Sequence, residues 1–75
     1  MPRVSGKELA RLLHSLGYEL DRIRGSHHIF RHPDMDRIVV PIHAKRPIAI
    51  GTLQGIIKKQ LKWTVEEFIE ALHCQ

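Results

Sequence analysis

Leu9, Leu12, Leu13 and Leu16 recur at i, i+3, i+4 and i+7, a spacing that gathers them on one face of a helix. Ser5-Gly6-Lys7-Glu8 just ahead of them has the form of a capping box, and Gly17 supplies the left-handed residue that ends such a helix. From Tyr18 to Arg24 the pattern changes to alternation, and after Gly25-Ser26 a second extended run covers His27 to His32. A glycine in the first central position is what a two-residue type II′ turn requires, so these runs are predicted to pair as a hairpin. Pro33-Asp34-Met35-Asp36 predicts another turn and Arg37 to Ile42 a third strand, with Pro41 at its end or on a sheet edge. His43 to Ile50 is aperiodic and reads as a loop, after which Leu53, Ile56, Ile57 and Leu61 resume helical spacing. Thr64-Val65-Glu66-Glu67 is a second capping box, opening a last helix whose stripe is Val65, Phe68, Ile69 and Leu72.

The predicted order is therefore α-β-β-β-α-α. Helices with one apolar stripe each must bury it on the sheet, which predicts an α+β fold of two layers: a three-stranded antiparallel sheet with helices on one face and part of the other face open. Length adds that residues 1–75 have room for a single domain, and that its small core leaves few apolar positions for anything but packing. No apolar run is long enough to span a bilayer, the N-terminus has no signal-peptide pattern, and the one cysteine, Cys74, has no partner for an internal bridge. A cytoplasmic protein is expected.

Charge changes the picture further. The formal net charge is +4, but all 12 lysines and arginines precede Trp63 and face only five carboxylates there, so residues 1–63 carry +7 while the tail, with Glu66, Glu67 and Glu70, carries −3. A basic body of this kind suits a polyanionic partner such as a nucleic acid.

One set of residues is more specific. Ser5-Gly6-Lys7-Glu8-Leu9, Gly17-Tyr18, Gly25-Ser26-His27-His28-Ile29-Phe30-Arg31-His32-Pro33, Val40-Pro41-Ile42-His43 and Gly51-Thr52-Leu53, in this order along nearly the whole chain, resemble the HicA family of toxins. The resemblance implies a double-stranded-RNA-binding-domain-like fold, a ribonuclease that cleaves messenger RNA, and a HicB-type antitoxin protein that holds it inactive. It also implies an active-site histidine at the Gly-Ser-His position, His27 here. Some members place their only histidine one position later, at His28.

The chemistry of RNA cleavage suits these residues. RNA carries its own nucleophile, the 2′-hydroxyl, so an enzyme must remove one proton, aim the attack and stabilise charge on phosphorus. An imidazole, with an ordinary pKa of about 6.5, is largely neutral at cell pH and fit to be the base. With a two-residue turn at Gly25-Ser26, Arg24 pairs across from His27, and the strand period of two puts Arg22 and Arg31 on the same face. Tyr18, Leu20 and Ile29 fall on that face too and also demand a core, so parity alone leaves open which side is exposed. Ser26, Lys45, Arg46, Lys58, Lys59 and Lys62 are further candidates for RNA binding, although a turn serine and lysines at a helix C-terminus have ordinary structural reasons to be there.

A metal is not expected. His28 and His32 suggest a pair, but on a strand four residues separate them by roughly 13 Å, too far to share a tetrahedral ion. No cofactor is expected either. The rival reading is a non-catalytic RNA-binding module of the same fold. A DNA-binding helix-turn-helix built from the last two helices fits less well, because Glu66, Glu67 and Glu70 stand where its recognition helix would meet phosphates.

Overall fold

The computed structural model describes residues 2–74. Helix α1 (Gly6–Ser15) begins directly after Ser5, whose backbone is still extended, and both arms of its capping box form: the Glu8 amide donates to the Ser5 hydroxyl and the Ser5 amide to the Glu8 carboxylate, each at 3.1 Å. Its buried face holds Leu9, Leu12 and Leu13. Gly17, at φ 98, turns the chain into the sheet. A side chain there would suffer twice, from the positive φ and from the His32 ring, which would lie 3.0 Å from an added Cβ.

Strands β1 (Glu19–Arg24), β2 (His27–Arg31) and β3 (Ile38–Pro41) form an antiparallel meander with β2 in the centre. At the first turn Gly25 takes φ 58 while Ser26 stays out of the left-handed region, the pattern of a type II′ turn. All three strands are shorter than alternation predicts. His32 leaves β2 because its ring is tied to the chain on either side, and Arg37 and Ile42 flank β3 without joining it. One hydrogen bond does carry the pairing past Pro41: the Ile42 amide donates to the Ser26 carbonyl at 2.7 Å.

Helix α2 (Ile50–Gly55) runs directly into a wider π-helical stretch, Ile56–Leu61. In an α-helix, residues five apart diverge by about 140°. The wider i→i+5 winding brings Ile56 and Leu61 closer to one side of the helix, and both are buried. Lys62 closes the stretch at φ 58, and helix α3 (Val65–His73) starts from Thr64 with a second complete capping box. The loop before α2 is aperiodic as expected but is not free: the Ile48 amide donates to the Val4 carbonyl at 2.7 Å, Ser5 bridges to Pro47, and Ile48 is buried.

One core joins Leu9, Leu12 and Leu13 of α1, Phe30 of β2, Ile38 and Val40 of β3, Leu53, Ile56, Ile57 and Leu61 of the middle helix, and Phe68 of α3. All three helical segments thus lie on one face of the sheet, giving the α+β, double-stranded-RNA-binding-like arrangement that the order α-β-β-β-α-α implies. Burying each of these side chains contributes about 1.5–3 kcal/mol. The cover does not reach β1, whose six residues are all exposed.

Candidate active site

Side chains directly opposite one another in an antiparallel pair share a face. His28 pairs with Val40 and Ile23, and Phe30 with Ile38 and Leu20, which defines the helix-covered face. His27 pairs with Arg24 and Pro41, Ile29 with Arg22 and Val39, and Arg31 with Glu19, which defines the other. The expectation that Tyr18 and Leu20 share the face of His27 is corrected by a β-bulge: the register jumps from Leu20 to Arg22, leaving Asp21 as an extra residue. The bulge reverses parity upstream, so Leu20 falls on the helix side opposite Phe30, and Tyr18 is buried in the core. The open face is left with His27, Arg22, Arg24 and Arg31 around Ile29. Ile29 is buried there, yet it is not part of the core cluster.

The two neighbouring histidines differ in what they touch. His27 is exposed beside the hairpin tip. His28 is half-buried, and its Nδ1 lies 3.1 Å from the Ser26 carbonyl, the same oxygen that accepts from Ile42. As the Nδ1–H donor of that bond, His28 ties the tip of the hairpin to its own strand. His32 is still more engaged. Its Nδ1 accepts from the Asp34 amide at 3.0 Å, so Nε2 carries the hydrogen and donates to the Leu16 carbonyl at 3.2 Å, while the ring packs against Tyr18 with centroids 4.9 Å apart. Both nitrogens of His32 are spent on the fold.

The cations divide into three groups. On the open face, Asp21 lies 3.5 Å from Nε of Arg22 and 3.6 Å from Nε of Arg31, which partly neutralises two of the arginines that alternation assigned to phosphate. Arg24, directly across from His27, has no ion-pair partner among the described residues. Lys45 and Arg46 sit in the loop after β3, where the Arg46 amide donates to the His43 carbonyl at 3.2 Å and Lys45 holds φ 62. Lys58, Lys59 and Lys62 are exposed on the helical layer, on the other side of the sheet from His27. Asp21 escaped the sequence reading, although the parity conflict between the arginines and Tyr18 and Leu20 was its trace.

A family model described as the HicA toxin of bacterial toxin-antitoxin systems matches residues 6–63, well over half of the 75. The chain belongs to the HicA toxin family. No curated protein and no solved structure matches it. The HicA match begins at the first residue of α1 and takes in the hairpin with both histidines, β3 and the middle helix. It stops at Trp63, immediately before the cap of α3. Helix α3, with Glu66, Glu67 and Glu70, lies outside the matched residues, and Phe68 anchors it in the core. Among the described residues no helix is long and apolar enough to cross a membrane.

Proposed function

We propose that this HicA-family chain is a metal-independent endoribonuclease that cleaves messenger RNA and is held inactive by a HicB-type antitoxin. The observation that carries this reading is the hairpin register, in which His27 stands across from Arg24 on the uncovered face while His28 faces the helices and bonds to Ser26. In this reading His27 takes the proton of a 2′-hydroxyl, the 2′-oxygen attacks the adjacent phosphorus, and the bond from phosphorus to the 5′-oxygen breaks, the departing 5′-oxygen taking a proton from solvent water. The products are a 2′,3′-cyclic phosphate and a 5′-hydroxyl end. Arg24, and Arg22 and Arg31 once Asp21 yields them, bind the charge that gathers on the phosphate oxygens.

His27→Ala is expected to cut cleavage by about 10²–10⁴-fold, the usual worth of a general base, and to end toxicity on expression. The fold should survive, since little buried area is lost at an exposed residue, and circular dichroism checks this. The assay is run in chelator, and RNA with a 2′-deoxy sugar at the cleaved position should resist. If His28→Ala abolishes cleavage in a folded protein while His27→Ala is harmless, the roles are reversed. No hydrogen bond orients the His27 ring among the described residues, which favours a second reading, a non-catalytic RNA-binding module. That reading predicts RNA binding without any cleavage in the same assay.

A further inference from the structure

Positive charge also converges away from the sheet face. Arg3, Lys7, His43, Lys45 and Arg46 line an open groove of about 570 Å³ between the start of α1 and the loop that follows β3. The walls are fixed to one another. The Ile48 amide donates to the Val4 carbonyl, Ser5 bridges to Pro47, and Gly6 lies so close to Ile42 that an added Cβ would be 2.5 Å from its side chain. Lys45 is held at φ 62, an unfavourable region for a lysine, in the turn closed by Arg46 and His43.

Arg3, Lys7, Lys45 and Arg46 have no ion-pair partner among the described residues. The one carboxylate in the groove, Glu8, is bonded to the Ser5 amide, so the backbone amides at the helix start are already served. Four like charges held together without counter-charge repel one another, and an arriving polyanion relieves that repulsion. The groove is also joined to the histidine face. Ile42 bonds to Ser26 beside His27, Pro41 is the cross-strand partner of His27, and His43 follows two residues later, about 7 Å along the chain.

We propose that this groove is a phosphate-backbone subsite for the RNA strand that flanks the scissile bond, with Arg3, Lys7, Lys45 and Arg46 holding the phosphates and His43 at the passage between the groove and His27. The proposal rests on the ribonuclease reading for its meaning but not for its test. Contacts of this kind hold the backbone without reading bases.

The test uses the full chain and two charge-removing pairs, Arg3→Gln with Lys7→Gln, and Lys45→Gln with Arg46→Gln. The pair Lys58→Gln with Lys59→Gln removes the same charge from the helical layer. Binding of a single-stranded RNA of mixed sequence is measured on the His27→Ala background, so that affinity is read whether or not the protein cleaves. Each groove pair is expected to weaken binding on the order of tenfold for every sequence and to lower the slope of log affinity against log salt by about 0.7 per phosphate lost. The helical-layer pair should do distinctly less. In the cleaving protein the loss should fall in KM more than in kcat. Equal losses from all three pairs would overturn the proposal, because net charge alone would then explain them. So would unchanged RNA affinity, including the case in which only binding of the antitoxin falls. If the wild-type protein cleaves nothing while the groove pairs still lose RNA affinity, the cleavage reading fails and the groove stands.

Discussion

Phe30 and Arg31 are neighbours in β2 and occupy different media. Phe30 is 4 % exposed between Ile38 and the helices, whereas Arg31 is exposed on the face that no helix covers. The same alternation separates His28, bonded to Ser26, from His27, which is exposed. Strand alternation thus sorts one short segment into residues that hold the fold together and residues available to a ligand. Stability and function should therefore respond separately to mutation within a few residues of each other.

The strongest test of that separation is the pair Phe30→Ala and Arg31→Ala. Truncating a buried phenylalanine costs about 3–5 kcal/mol, most of the stability of a domain this small. Arg31→Ala should change stability by no more than about 0.5 kcal/mol while weakening RNA binding. Urea unfolding of both variants decides it, and a large loss from Arg31→Ala would mean that the open face is structural too.

Two glycines make the next comparison. Gly17 joins α1 to the sheet and Gly25 sits at the hairpin tip, both at positive φ, but only Gly17 has a neighbour that an added methyl would strike. Gly17→Ala is expected to cost about 1–3 kcal/mol and more than Gly25→Ala, where backbone strain acts alone. Thermal unfolding of the two proteins ranks them, and equal costs would show that the His32 ring moves aside freely.

Much of this was legible in the sequence, because it is local. Ser5 with Glu8, Thr64 with Glu67, and Gly25 with Ser26 each fix a start or a turn within a few residues, and the leucine and isoleucine spacings name the core side of each helix. What was not legible depends on partners far along the chain. The bulge at Asp21 is decided by how Tyr18 meets the core, and local alternation registers it only as a conflict. His32 read as a strand residue, although its bond to the Leu16 carbonyl lies outside any local pattern. The π-helical winding follows from seating Ile56 and Leu61 together, and the basic groove from docking residues 3–7 against 42–47. On the candidate site, sequence named His27 and its arginines but not the carboxylate between them.

The first capping box also gives a pH dependence. Hydrogen bonds from the Ser5 amide and hydroxyl, opposed by burial and helped by Arg11, hold the Glu8 carboxyl below the usual carboxylate range. The folded state thus prefers the charged form, and the stabilisation is complete above the ordinary carboxyl value of about 4.3. It is lost as pH falls through the lowered value. Glu8→Gln, which keeps the shape of the box, should flatten this part of the acid limb in urea titrations at a series of pH values, and an unchanged limb would remove Glu8 from the account.

The smallest effect bears on the open face itself. Asp21 is there because the bulge adds a residue, and it sits between Arg22 and Arg31 at 3.5 and 3.6 Å with both guanidinium groups largely exposed. Exposed pairs of this geometry contribute about 0–1 kcal/mol, so Asp21→Asn should hardly change stability. It does remove one negative charge from a surface proposed to bind phosphates and frees two guanidinium groups that an RNA must otherwise share with the carboxylate. RNA affinity is expected to rise by up to about fivefold at low salt, with the gain fading as salt screens the face. If Asp21 instead serves to aim the two arginines at the phosphate, affinity will fall while the fold is kept. Binding measured at two salt concentrations separates these outcomes and tells whether the bulge restrains the open face or organises it.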